Sequence, residues 1–272
     1  MTNIALLPDR AVISLKGPDR VPFLNGLVSN DVTKAQPGRA IWAALLTPQG
    51  RYLTDFFIFA TPDEVLLDVK SADAPALIQK LRRFRLRSAV EIVEPSPDWQ
   101  VFAAWGGAAP TADIITPDPR LTAAGFRLLT PTPPATTAIA QDYATHRLSL
   151  GLPDGAPDLE PEQTLLLEAG FDELHGISWD KGCYMGQELT ARTKYRGLVK
   201  RRLVPVTLSA SLAPGTLIWA GESEAGRMGS SAGLTGLALL RVDALDKPLH
   251  SADVHLAPRL TAWLNLPTPP KS

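Results

Sequence analysis

The chain has 272 residues, 45% hydrophobic and 20% charged, with a formal net charge of −1. Length and balance describe a globular protein of two or three modest domains, and so small a net charge excludes recruitment of nucleic acid or membrane by a whole-molecule field. One cysteine and four histidines, with no H-x-x-x-H or C-x-x-C spacing, exclude an intramolecular disulfide and a four-cysteine cluster site within one chain, and point to no stable metal in the monomer.

In chain order, Arg10–Lys16 alternates like a strand and stops at Gly17-Pro18. Residues 18–27 read as a helix with Phe23, Leu24 and Leu27 on one face. Ser29-Asn30-Asp31-Val32 follows, where Asn and Asp are expected to do turn and capping work. Residues 40–46 and 52–59 form a hairpin around Pro48-Gln49-Gly50. Asp55 stands inside the apolar second strand. A carboxylate there must be exposed, paired or holding a ligand, because burying it alone is costly. A strand at 65–69, a helix at 73–85 and a strand at 89–93 come next. The helix buries Leu77, Ile78, Leu81 and Phe84; its other face carries Lys80, Arg82, Arg83 and Arg85. That basic face is either solvated surface or a contact for a polyglutamate tail or RNA phosphate.

Strands are expected at 99–105 and 125–129, joined by a Gly/Ala/Pro-rich link, and a helix at 136–149. After Lys200 the pattern changes to short strands at 202–208, 216–220, 226–230, 234–242 and 253–256 with Gly/Pro punctuation. This predicts a small antiparallel barrel. The fold class is therefore α+β with a C-terminal barrel: a first region at 1–200, the barrel at 201–266 and a disordered tail at 267–272. No stretch is long and apolar enough to span a membrane. The first ten residues have neither a secretory nor a transit pattern, and with the lone cysteine they lead us to expect a cytoplasmic protein.

The chemistry concentrates in Lys181-Gly182-Cys183-Tyr184-Met185-Gly186-Gln187-Glu188. Two glycines flank the thiol, and a short polar helix at 186–195 pairs Glu188 with Arg192 at i, i+4 before Gly197 stops it. Cys183 is either a small buried hydrophobe or a reactive thiol. Lys181 and the helix start would favour the thiolate.

This octet resembles the K-G-C-[FYW]-x-G-Q-E signature of the YgfZ-type folate-binding proteins, whose mitochondrial counterparts help mature [4Fe–4S] proteins. The Phe-Leu-x-x-x-x-Ser-Asn-Asp-Val pattern from Phe23 is similar to the opening of their superfamily, that of the glycine-cleavage T-protein. The resemblance implies a T-protein/YgfZ-like multi-domain fold and tetrahydrofolate as cofactor. Cys183 and Lys181 would form the reactive centre. Asp55, spaced from Gly50 as in the T-protein folate site, would bind the cofactor with Arg147 and Glu168. Lys181, Tyr184, Gln187, Glu188 and Arg192 of the signature would complete that set, although Glu168 reads equally as a solvated loop carboxylate. The Gly-Glu segment by which transferases hold the pterin is missing: Ala123-Ala124-Gly125-Phe126 stands there. The implied function is that of an accessory factor in assembly or repair of [4Fe–4S] clusters, with folate-dependent aminomethyl or one-carbon transfer as the alternative. The implied partners are A-type scaffolds and [4Fe–4S] target enzymes. Cys183 would be one ligand of a transient iron–sulfur cluster shared with such a partner.

Overall fold

The computed structural model describes residues 1–95, 99–197 and 199–266; the expected tail at 267–272 lies outside them. The chain forms two compact units. Unit 1 comprises residues 1–46, 53–143 and 175–185; unit 2 comprises 47–52, 144–174 and 186–272. This division does not follow a boundary near residue 200, since the chain leaves unit 1 and returns to it twice.

Unit 1 is built from two sheets. Strands β1 (Asn3–Leu6), β2 (Arg10–Lys16), β3 (Ile41–Leu46), β4 (Tyr52–Ala60), β5 (Glu64–Lys70), β6 (Glu91–Val93), β7 (Gln100–Trp105), β8 (Ile114–Pro117) and β9 (Phe126–Thr130) supply them. Five make a sheet of order β3-β4-β5-β2-β6 and four a sheet of order β1-β7-β9-β8. Helices α1 (Arg20–Asn25) and α2 (Ala74–Arg85) complete the unit. Alternation along the strands of the larger sheet decides its two faces. Ile13 and Leu15, Phe56 and Ile58, and Val65, Leu67 and Val69 pack with Leu24 of α1 and Leu77, Ile78 and Leu81 of α2. Each such side chain contributes roughly 1.5–3 kcal/mol by leaving water.

The opposite face is buried as well, which explains the carboxylate inside an apolar strand. Asp55 and Phe57 of β4, Asp68 of β5 and Arg10 of β2 lie on it, with Phe57 opposite Asp68 in register. The guanidinium groups of Arg10, Arg120 and Arg127 stand 5.7, 4.8 and 4.3 Å from the centroid of the Phe57 ring. Asp68 pairs with Arg10 at 2.6 Å and Arg127 at 3.5 Å; Asp118 pairs with Arg120 at 2.8 Å. Burial raises the Asp118 carboxyl, but the charge and hydrogen bonds of Arg120 and the charge of Arg127 outweigh it and hold it below the usual range.

Unit 2 carries the barrel. Strands β10 (Arg201–Leu208), β11 (Leu217–Ala220), β12 (Ser223–Ala232), β13 (Thr235–Arg241), β14 (Leu249–Ser251) and β15 (Val254–Pro258) close in the order β10-β13-β12-β11-β14-β15. Val204, Val206, Leu208, Ile218, Met228, Ala238 and Leu240 fill it, and register shifts at Ile218/Trp219 and Met228/Ser231 let so few strands bend closed. Helices α3 (Ala140–Leu150) and α4 (Gln187–Tyr195) follow β9 in the chain. The helix expected at 136–149 thus starts later: Thr137 instead accepts from the Ile4 amide through its hydroxyl and donates its own amide to the Ile4 carbonyl. Strands β1, β8 and β14 were not expected. They have three or four residues each, too few for a repeating pattern. Among the described residues no helix is long and apolar enough to cross a membrane.

Gly50 closes the β3–β4 turn at φ +79°, and a Cβ there would meet the Gly186 carbonyl oxygen at 2.6 Å and Leu189 Cβ at 2.7 Å. Gly38 has the same φ of +79° with open space around it. Gly38→Ala should therefore cost only the left-handed strain, about 1–2 kcal/mol, and Gly50→Ala about 2–4 kcal/mol because overpacking adds to it. Urea unfolding of the two variants checks this; equal losses would mean that the close approach at Gly50 is not rigid.

Candidate functional site

The signature segment begins in unit 1, where residues 175–185 lie against the segment from Asn25 to Lys34. Helix α1 ends at Gly26, and the next residues offer backbone carbonyls and short polar side chains rather than a regular element. The Ser29 hydroxyl donates to the Gly176 carbonyl at 2.7 Å and accepts from the Ala44 amide at 2.9 Å. Asn30 Nδ2 donates to the Trp42 and His175 carbonyls at 2.8 and 2.7 Å. The Ser178 and Met185 amides donate to the Ser29 and Gly26 carbonyls at 3.0 and 3.2 Å. Asp31 does the capping expected of it, accepting from the Thr33 amide and hydroxyl at 3.1 and 2.6 Å. Asn30 does more than a turn residue: it joins β3 to the returning segment.

Lys181 anchors the middle of this contact. Its Nζ donates to the carbonyls of Asn25 at 2.6 Å, Val28 at 2.8 Å and Asn30 at 2.8 Å, one acceptor for each ammonium proton. The ammonium also stands 5.1 Å from the centroid of the Tyr184 ring. Burial pushes the Lys181 pKa down to about 8 against the pull of the Asp31 carboxylate. Burial raises Asp31 in turn, but the Thr33 hydrogen bonds and the charges of Lys34 and Lys181 hold it below its usual value. All three of its protons go to carbonyls and none to the sulfur of Cys183.

Tyr184 is buried and Met185 packs against the core of unit 1, whereas Gly182 and Cys183 are exposed. Cys183 is therefore not a small buried hydrophobe. It is a surface thiol held between Lys181 on one side and Tyr184–Met185 on the other.

The other expected site residues are divided between the units. Asp55, in unit 1, is only 3% exposed and accepts from Trp42 Nε1 at 2.8 Å; Trp42 is itself fully buried, 5.5 Å from the Arg120 guanidinium. This carboxylate is therefore not exposed, and it is paired with the Trp42 indole. Arg147, in unit 2, donates to Asp158 at 2.8 Å, to Ser230 at 2.9 Å and to the Leu152 carbonyl at 2.9 Å. It ties α3 and the loop that follows it to β12. Glu168 is half-buried, and burial raises its pKa in spite of Arg201, Arg51 and Arg202. Gln187 opens α4 after Gly186, which caps it at φ +80°, and Glu188 and Arg192 form the expected i, i+4 pair at 3.4 Å, exposed to solvent. Among the described residues no group of three or more His, Cys, Asp or Glu side chains could hold a metal ion.

What sequence reasoning missed is a cavity of about 640 Å³ in unit 1, lined by Asn30, Lys34, Arg39, Ile41, His175 and Ile177 among others. It missed as well the arginine layer over Phe57. Arg39 and Arg127 carry no local pattern; Asn30 alone was in view, as a turn residue.

Lys181 gives a pH signature. Its ordinary value is 10.5 and its folded value about 8, so between these limits the unfolded chain binds the proton that the folded chain has released. Its contribution to stability is flat below about 8 and rises with pH through that window. Lysine ¹³Cε NMR should show one resonance with a midpoint near 8 that is absent from Lys181→Met. A Lys181 midpoint at its ordinary value would contradict the burial of this ammonium.

Comparison with known proteins agrees with this architecture. Residues 10–126 match the GCVT N-terminal domain and residues 200–266 the CAF17 C-terminal beta-barrel domain. A crystal structure of the glycine cleavage system aminomethyltransferase T from Bartonella henselae superposes with a TM-score of 0.73 over 97% of this chain and 86% of that one, at 13% identity. That likeness is one of fold alone. The Mus musculus protein named iron–sulfur cluster assembly factor IBA57, mitochondrial, is 35% identical, covering 90% of this chain and 79% of its own. The Homo sapiens protein of that name is 34% identical, covering 94% and 84%. The Mycosarcoma maydis homologue is 37% identical over 78% of this chain, which spans 59% of that longer relative. These relatives are named as mitochondrial, which overturns the expectation of a cytoplasmic protein. Of the resemblance drawn from the signature, its mitochondrial assembly-factor branch is the part these comparisons show. With a third of its residues identical over most of both mammalian chains, this protein belongs to the family of iron–sulfur cluster assembly factor IBA57.

Proposed function

We propose that the chain serves iron–sulfur cluster assembly by offering Cys183 as one ligand of a cluster held jointly with a cysteine-bearing partner. The observation that carries this is the exposure of the single cysteine on a loop fixed at both sides. A [2Fe–2S] or [4Fe–4S] cluster takes four protein ligands, and this chain has one cysteine. The cluster is thus cargo, and the remaining thiolates come from the partner. An A-type scaffold supplies that chemistry, with [4Fe–4S] enzymes as the eventual recipients. Binding needs the thiolate, so the Cys183 proton is released as iron–sulfur bonding begins. A surface loop suits such a transient ligand, because the partner approaches without either core opening.

The T-protein-like fold and the GCVT domain match support tetrahydrofolate as a ligand of this chain. The residues that would hold the pterin do not fit it: Asp55 is sealed under Trp42, and no glutamate stands at Ala123–Phe126. No aminomethyl or one-carbon transfer step is therefore assigned, and the transferase reading loses its acid.

Anaerobic mixing of this chain with an A-type scaffold, iron and sulfide should give a coloured heterocomplex on size exclusion, and Cys183→Ala should leave only the uncoloured monomer. A stable, stoichiometric cluster on the isolated chain would overturn the shared-ligand reading. Calorimetry with tetrahydrofolate tests the folate part separately: Asp55→Ala should leave any binding heat within about twofold, whereas a tenfold loss would restore the carboxylate as a contact.

A further inference from the structure

Unit 1 contains a second candidate for chemistry, independent of the thiol. The cavity of about 640 Å³ is walled by Lys34, Arg39 and His175, by Asn30, and by the apolar Ala40, Ile41, Ile177, Pro117 and Pro119. No carboxylate is among its lining residues. The nearest in sequence are already engaged: Asp31 by Thr33, Asp118 by Arg120. Asp55 is not among the walls either, so this is not the place where a T-protein-like carboxylate would meet a ligand.

The basic groups are positioned, and of the three only Lys34 feels a nearby carboxylate, that of Asp31. Among the described residues the Arg39 guanidinium and the His175 imidazole make no hydrogen bond or ion pair, and Lys34 Nζ reaches only Ser178 Oγ, at 3.5 Å. Their backbones, by contrast, are fixed. Arg39 closes a Gln36-Pro37-Gly38-Arg39 turn with reciprocal hydrogen bonds to Gln36 of 3.0 and 2.8 Å. Lys34 ends the turn capped by Asp31. His175 is held at φ +59°, a strained conformation for a non-glycine residue, while its carbonyl accepts from the buried Asn30. Gathered on the walls of one cavity that no carboxylate lines, in a chain of net charge −1, such groups are arranged for an anion. The apolar walls add room for an uncharged body, and the volume suits a small organic molecule.

We propose that this cavity binds an organic anion, its carboxylate or phosphate on Lys34, Arg39 and His175 and its planar or apolar body against Ile41, Ile177 and Pro119. The proposal goes beyond the cluster reading and holds whether or not reduced folate is a ligand.

Amide NMR of the full chain tests it with defined probes: p-aminobenzoylglutamate, phenyl phosphate, inorganic phosphate and neutral benzyl alcohol. The first two should shift the Gly38–Ile41 and His175–Ile177 amides and compete with each other. Inorganic phosphate should bind the same amides more weakly and benzyl alcohol should leave them unmoved. Lys34→Gln and Arg39→Gln, both at exposed positions, should each weaken phenyl phosphate about tenfold, and added salt should weaken it further. Unshifted amides at about 5 mM of both aromatic anions, or equal binding by the double variant, would overturn the proposal.

Discussion

An ammonium group in a cage of three backbone carbonyls holds the candidate site together. Lys181 satisfies the carbonyls of Asn25, Val28 and Asn30 at once, at the end of α1 and in the irregular stretch that follows it. Burial of the ammonium opposes this arrangement, and the fall of its pKa to about 8 shows that it outweighs the pull of the Asp31 carboxylate on the charged form. The three bonds fix a loop with two exposed residues, Gly182 and Cys183. The lysine thus acts on the cysteine through the backbone, as a positioning residue.

The sheet behind this loop accounts for the buried Asp55. This larger sheet of unit 1 is buried on both faces, one against helices and one against the arginine layer over Phe57. Three cations on one ring with two carboxylates between them are stable only as a complete set; removal of one partner from a buried pair typically costs about 3–5 kcal/mol. Trp42 fills the space beside Asp55, held by its own hydrogen bond to that carboxylate and by the Arg120 stack. A carboxylate bound in this way is part of the core. A cavity of the unit lies elsewhere, walled by Lys34, Arg39 and His175.

Much of this was legible in the sequence, for reasons that particular residues make plain. The barrel strands announced themselves by alternation and Gly/Pro punctuation, and α4 by its Glu188–Arg192 spacing and its glycine stops, because these signals are local. The importance of Lys181-Gly-Cys183 was legible from composition. The direction of the lysine was not, since its acceptors lie some 150 residues away and are backbone atoms that any sequence would offer. Asp55 could be flagged as anomalous but not resolved, because its partner Trp42 comes to it from the neighbouring strand β3. Arg147 was marked by resemblance alone; the bonds by which it ties α3 and the following loop to β12 are tertiary and leave no local pattern.

The central claim is that Lys181 holds the cysteine loop in place without supporting the fold as a whole. Amide hydrogen exchange at Ser178 and Met185, whose N–H groups bond to Ser29 and Gly26, measures this most directly in wild type and Lys181→Met. The account predicts protection at both amides lower by roughly 10- to 100-fold in the variant, with the amides of β5 and the barrel unchanged. Unchanged protection at Ser178 and Met185, or a loss spread evenly over both units, would contradict it.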